Sequence, residues 1–282
     1  MNFLQAGFLG LLQGLTEFLP VSSSGHLALF QNWFGLENTD NTLFTVLLHF
    51  ATLIAVCVAF RKDILDMLRE LGGMISDLTH RRPQNPAPAR RMILLIVVGS
   101  MPLVLILLPP IRNLVDIVTE TPLAIGLLLC VTGVLLFLTD RLPRGHKTEK
   151  SALVTDGLMV GLSQCLAIMP GLSRSGATIS TGLFRKFNRA FAVRFSFLLS
   201  LPAVLGATLL ELKDVLKPAE ANAATLSLWP CIVGMLVAAI VGYFAIGLVR
   251  RLIDNGKFGI FAYYCLGMGI VTIAITMFTG NS

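Results

Sequence analysis

Met169-Pro170-Gly171-Leu172-Ser173-Arg174-Ser175-Gly176-Ala177-Thr178 stands in the middle of a stretch, Gly161 to Leu183, whose flanks are apolar enough for the core of a membrane. An arginine set among hydroxyls and glycines is expensive in lipid. Insertion scales put one such charge at roughly 2.5–3.5 kcal/mol at mid-bilayer, so a functional site is the default reading. Guanidinium, hydroxyls and the free N–H groups of a helix start are together the parts of a phosphate cradle. Pro170 and the glycines break a helix here, and irregular backbone at membrane depth is tolerated only where it lines a protein cavity.

Outside this stretch the chain has the composition of a membrane protein. Of its 282 residues, 55% are hydrophobic and only 13% are charged, about half the charged fraction of a soluble domain. The first apolar run lacks a basic leader and holds Gln13 and Glu17, so it is expected to stay in the chain rather than be cleaved as a signal peptide. Five cysteines are scattered singly without metal-ligand spacing, which argues against a disulfide framework and a structural zinc site. The net charge of +6 would suit a nucleic-acid binder, but its distribution along the chain speaks for membrane orientation instead.

Six apolar runs, at about 42–60, 92–109, 121–140, 192–212, 227–249 and 258–279, are near the length of about 20 residues that crosses a bilayer as a helix. Two more regions, about 3–30 and 154–184, are broken by Pro, Gly and clustered Ser and read as re-entrant helix–loop–helix pairs. The segments 61–91, 141–153, 185–194 and 250–257 carry 18 of the 22 lysines and arginines. By the positive-inside rule these face the cytoplasm and both termini lie outside. The expected fold is therefore an all-α polytopic membrane protein, one membrane domain over 1–282.

The chain also matches itself, without a gap, at an offset of 151. Gly10, Leu11, Gln13 and Leu15 fall on Gly161, Leu162, Gln164 and Leu166, while Ser22, Ser24 and Gly25 fall on Ser173, Ser175 and Gly176. Three spans separate the copies, and an odd number turns the second upside down. The expectation is an inverted repeat, about 1–140 and 152–282, with six transmembrane helices and two re-entrant pairs meeting near the midplane.

The first broken segment reads Gln13-Gly14-Leu15-Thr16-Glu17-Phe18-Leu19-Pro20-Val21-Ser22-Ser23-Ser24-Gly25-His26. Gln13 and Glu17 share a helix face at four-residue spacing. Pro20 ends that helix, and the serines suit the cap of the next one. Joining the two tips would set Glu17, Ser23 and His26 opposite Ser173, Arg174 and Thr178: a cation and helix starts for a phosphate, with a nucleophile and acid/base groups. Each residue also has a plainer reading. Arg174 could snorkel, Glu17 could bond a neighbouring helix, and membrane serines commonly bond backbone carbonyls. His49 could be a satisfied core histidine at the edge of a site. Gly25, Gly171 and Gly176 could serve packing or close approach to phosphate.

With both motifs in view, the chain resembles the undecaprenyl-diphosphate phosphatase (bacitracin-resistance) family. Gln13-x-x-x-Glu17 with Pro20-Val-Ser-Ser-Ser-Gly-His26, and Pro170-Gly-Leu-Ser-Arg-Ser-Gly-Ala-Thr178, are similar to its two signature motifs, and the likeness runs the length of the chain. The resemblance implies hydrolysis of undecaprenyl diphosphate to the monophosphate and inorganic phosphate in the bacterial cytoplasmic membrane, recycling the lipid carrier of peptidoglycan and other envelope glycans. It implies that Glu17, His26, Ser173, Arg174 and Thr178 are needed for activity, with Glu17, His26 and Arg174 catalytic. Ser23 joins them as a candidate nucleophile from the residue pattern. Phosphate contacts are expected from Ser173, Arg174, Ser175, Gly176, Thr178, Ser24 and Gly25, supported by Gln13, Gln164 and His49. Gln13 stands where many members have a second Glu, so a divalent-cation site, for magnesium or calcium, would be built differently here. No organic cofactor and no nucleic acid are expected. The expected partners are the polyprenyl diphosphate, membrane lipid and, in one arrangement, a second copy of the chain as a homodimer. The nucleophile is left open between Ser23, His26 and water. The competing reading is a flippase or carrier for a phosphorylated lipid or anion, because paired broken helices in inverted repeats are also the plan of secondary transporters.

Overall fold

The computed structural model describes residues 2–34, 40–80, 87–215 and 228–279, and among these the chain is helical with no named strand. In chain order the helices are α1 (Phe3–Phe18), α2 (Ser23–Phe34), α3 (Asp40–Ala59), α4 (Arg61–His80), α5 (Pro88–Ser100), a 3₁₀ turn (Met101–Leu107), α6 (Pro109–Glu120), α7 (Pro122–Asp140), α8 (Val154–Leu166), α9 (Arg174–Phe184), α10 (Arg189–Val215), α11 (Leu228–Asp254) and α12 (Gly259–Thr279).

Five stretches are long and apolar enough to cross a bilayer: Pro88–Leu107, Pro122–Asp140, Arg189–Leu210, Leu228–Asp254 and Gly259–Phe278. A sixth results if Leu43–Ala59 and Arg61–Met74, bent by 82° at Phe60, are taken as one. All six apolar runs of the sequence fall on these stretches. The helices are apolar on their outward faces as well as inward: α7 buries Ile125, Leu129 and Leu136 yet exposes Leu127, Val131, Val134 and Leu138. A helix hydrophobic all round is one that lipid surrounds on the side protein does not.

Two segments expected as connections are helical. α4 carries Arg61, Lys62, Asp63, Asp66 and Arg69 between Leu65, Leu68 and Leu71, an amphipathic pattern that run-length reading passes over because charges interrupt it. α6 starts at the Pro109-Pro110 pair, where prolines suit the first helical turn. The 92–109 run is likewise α5 followed by the 3₁₀ turn rather than one helix, because Pro102 withholds an N–H where α5 would continue.

Both broken regions form helix pairs. α1 begins in a capping box: the Asn2 side chain accepts the Gln5 N–H (2.8 Å) while Gln5 accepts that of Asn2 (3.0 Å). It then packs along α11, and α8 packs along α5. Gly10 and Gly161, paired by the offset, make these approaches close; a Cβ on either would overlap the carbonyl oxygen of Gly234 or Gly99 respectively. α3 and α10 cross beneath, and their core holds Phe60, Phe195, Phe197, Leu198 and Leu199 together with Phe18 of α1 and Phe187 and Phe191 from the second half. The breaks of the two pairs thus face one another, held from outside by α7 and α12.

Candidate functional site

The breaks between α1 and α2 and between α8 and α9 are laced together by backbone and hydroxyl groups. Ser22 takes a positive φ of 71°, an uncommon conformation for a non-glycine residue. Its hydroxyl accepts the Gly25 N–H at 3.3 Å, capping α2, and also the Gly171 N–H of the other break at 3.0 Å. Gly171 has φ +98°, and a Cβ there would also run into the Ile125 carbonyl. Ser173 caps α9 by accepting the Gly176 N–H at 3.1 Å. Thr132 of α7 spans the second break: its hydroxyl donates to the Gly171 carbonyl (2.9 Å) and accepts the Ser173 N–H (3.1 Å). Ser175 donates to the Leu19 carbonyl at 3.3 Å, and the Cys265 thiol donates to the Pro20 carbonyl at 3.4 Å.

Above this lacing sits Glu17, its side chain only 3% exposed. The carboxylate has four neighbours. Arg174 donates to Oε1, Ser23 donates to Oε2 at 2.7 Å, and Gln13 Nε2 donates to Oε2 at 2.9 Å. His49 Nε2 lies 3.9 Å from Oε2, while its Nδ1 donates to the Thr45 carbonyl at 3.0 Å. A buried carboxylate without such partners would be strongly destabilising. Here three of the four, Ser23, Arg174 and His49, come from other elements, so the site exists only when both breaks and α3 are in place. The Arg174 side chain remains 25% exposed, and Ser23 and Ser24 are half-buried. The first amides of α2 and α9, which helix geometry leaves without an intrahelical acceptor, lie beside these groups.

Glu17, Ser23, Arg174, Gln13 and His49 are therefore brought together as the sequence suggests, Ser24 follows Ser23 in the first turn of α2, and the remaining nominated residues make other contacts. His26 does not face Ser23. Its Nδ1 must donate, because the Ser22 carbonyl (2.8 Å) only accepts, so Nε2 is the acceptor for the Tyr264 hydroxyl at 2.7 Å. The two rings stack at 5.6 Å and 11°. Ser173, Ser175 and Thr178 are buried and engaged in the framework; Thr178 donates to the Arg174 carbonyl at 2.8 Å and meets the hydroxyl of Ser196 on α10. Gly25 and Gly176 face the opposite break: a Cβ on Gly25 would lie 2.8 Å from the Gly171 nitrogen, and one on Gly176 3.3 Å from Pro20 Cβ. Gln164, the offset partner of Gln13, is buried with both amide atoms unpartnered among the described residues. Thr132, Tyr264 and Ser196 went unnoticed in the sequence because single polar residues in apolar helices carry no pattern. Ser22 is among the serines expected to cap α2, but its second bond, to Gly171, rests on a backbone angle.

Among the described residues no three His, Cys, Asp or Glu side chains cluster as a metal cage. Gln13 Oε1 is nevertheless buried without a partner. Because Nε2 of that amide faces Glu17, Oε1 would join the carboxylate as a second hard oxygen for a magnesium or calcium ion only with the amide turned over.

Fold and site together define a multi-pass helical membrane protein whose polar centre is assembled from two broken helix pairs. The family model described as "Bacitracin resistance protein BacA" matches residues 6–271, and the chain belongs to that family. It is 42% identical to an undecaprenyl-diphosphatase from Desulfosudis oleivorans, over 98% of this chain and 100% of that one. It is 39% identical to one from Carboxydothermus hydrogenoformans, over 98% of each chain, and 38% identical to one from Methanosphaera stadtmanae, over 98% and 99%.

Proposed function

We propose that this protein hydrolyses undecaprenyl diphosphate to undecaprenyl phosphate and inorganic phosphate, returning the lipid carrier of envelope glycan synthesis to use. The observation that carries the reading is the convergence of Ser23 and Arg174 on the Glu17 carboxylate, in a chain that belongs to this family over nearly its whole length.

The prenyl tail stays in lipid while the diphosphate enters between the breaks. Arg174 exchanges Glu17 for the terminal phosphate, a bidentate match for its guanidinium. Ser24 and the first amides of α2 and α9 complete the cradle, and Ser173, Ser175 and Thr178 hold the breaks in register. Release of Arg174 frees Glu17 to take the Ser23 proton. Ser23 Oγ then forms a bond to the terminal phosphorus as the bridging P–O bond breaks, and the lipid monophosphate leaves. The lipid monophosphate carries away the proton that Glu17 took, so Glu17, ionised again, deprotonates a water. This attacks the phosphoserine, the Ser23 Oγ–P bond breaks as Glu17 returns the proton to Oγ, and inorganic phosphate leaves. Positioning and charge neutralisation supply most of the rate enhancement in phosphoryl transfer. A divalent cation held by Glu17 and Gln13 would add neutralisation of the diphosphate. Acid quenching during turnover tests the serine step: labelled phosphate is trapped covalently in wild type and absent in Ser23→Ala.

The two halves are proposed to be inverted copies, with α1–α2 and α8–α9 as re-entrant pairs. α8 and α9 start at Val154 and Arg174, the positions that Phe3 and Ser23 reach at the sequence offset, and Gly10 and Gly161 make matching close approaches. The clustering of basic residues supports a cytoplasmic-membrane orientation with both termini outside.

A further inference from the structure

The basic end of the bundle is tied by ion pairs. Arg194 meets Asp63 at 3.4 Å and Glu149 at 2.8 Å, and Lys147 and Arg185 each meet Asp156 at 2.7 Å. Arg250 and Arg251, near the C-terminal end of α11, have no carboxylate within ion-pairing distance among the described residues. They line a groove of about 340 Å³ together with Ala59, Tyr243, Phe244 and Gly247. Arg250 lies over the Phe60 ring, 4.2 Å from its centroid. That contact fixes the guanidinium while its N–H edge stays available. Phe244 is 68% exposed, and a Cβ at Gly247 would meet nothing within 4 Å, so the middle of the groove is open and its outer wall is apolar.

α11 has 27 residues, about 40 Å of helix at 1.5 Å per residue, which is longer than a hydrocarbon core of about 30 Å. Its last turn therefore reaches headgroup level while the Tyr243–Phe244 turn stays at the depth of acyl chains. We propose that this groove binds an anionic glycerophospholipid, with Arg250 and Arg251 on the headgroup phosphate and the acyl chains along Phe244. The apolar wall selects a lipid over a soluble anion. No residue of α1, α2, α8 or α9 lines the groove, so it is separate from the Glu17–Arg174 centre and occupancy can be read without turnover.

The test is native mass spectrometry of the full chain released from phosphatidylcholine vesicles containing phosphatidylglycerol. The expected result is retention of one phosphatidylglycerol per chain. Arg250→Gln with Arg251→Gln, and separately Gly247→Leu, cut that retention by about tenfold, whereas Arg112→Gln, at a position away from the groove, leaves it unchanged. Phosphate release in detergent stays at wild-type level in all of them, which reports that they fold. Equal retention by the groove variants, equal retention of phosphatidylcholine, or displacement by inorganic phosphate or a prenyl monophosphate at the phosphatidylglycerol concentration would overturn the proposal.

Discussion

Arg174, at the first position of α9, donates to the Glu17 carboxylate at the end of α1, across 157 residues of sequence. The pair neutralises two charges that the surrounding apolar core could not hold singly, and it ties the resting geometry of one break to the other. The same two groups are those a phosphate would separate, so the ion pair is also the ground state from which the reaction starts.

Ser23 shares Glu17 Oε2 with Gln13, the arrangement of a nucleophile beside its base. Ser23→Ala is expected to lower turnover on the order of 10³-fold with little change in KM. Single-turnover phosphate release, run beside the acid quench, checks this; near-normal turnover would shift the attack to water.

Thr132 satisfies one donor and one acceptor of the second break, both buried. Thr132→Val keeps the shape and leaves the Ser173 N–H orphaned, at about 1–3 kcal/mol. The melting temperature in detergent should fall by several degrees, and turnover should fall with it because Arg174 follows Ser173 directly. An unchanged melting temperature would mean that the break holds without α7.

Tyr264→Phe preserves the stack on His26 and removes only the O–H that Nε2 accepts. The lost hydrogen bond is expected to cost roughly 1 kcal/mol of stability, read as a fall of a few degrees in the melting temperature. No change would show that stacking and the Ser22 carbonyl suffice to hold the ring.

Asp156 is fully buried at the basic end. Burial works to raise its carboxyl, and this is outweighed by the Lys147 ammonium, the Leu153 N–H and the Arg185 guanidinium, which hold it below the usual carboxylate range. A depressed folded-state pKa gives stability that is complete above the unfolded value, near 3.8, and is lost as pH falls through the folded value. Wild type should therefore melt above Asp156→Asn by a constant margin from about pH 7 to pH 5, and the margin should shrink below about pH 4. A margin independent of pH would remove the charge from the explanation.

Much of the site was legible because charge in an apolar run has few reasons to exist: Glu17 and Arg174 stood out against their neighbours, and Gln13 and Ser23 came with them by spacing. His26 shows where spacing stops being informative. At three residues from Ser23 its ring could lean over the hydroxyl, but the Ser22 carbonyl one turn back captures Nδ1 and the Tyr264 hydroxyl takes Nε2. Thr132 and Tyr264 could not be read at all, since their partners are set by how α7 and α12 pack. The apolar runs located the long helices, while α4 and α6 were hidden by the charges that make them amphipathic. The groove at Arg250 was invisible for the opposite reason: two arginines at the end of an apolar helix look like ordinary orientation signals.

Phosphate release from undecaprenyl diphosphate by detergent-purified wild type, run beside Glu17→Ala and Arg174→Ala and each with and without magnesium or calcium, decides whether these two residues form a phosphatase centre. Release by wild type is expected, with a loss on the order of 10²–10³-fold or more per folded molecule in both variants. Arg174→Ala melts below wild type because it leaves the Glu17 carboxylate without its cation. Near-normal release by either variant would contradict the Glu17–Arg174 centre, and no release by folded wild type under any of these conditions would contradict the phosphatase.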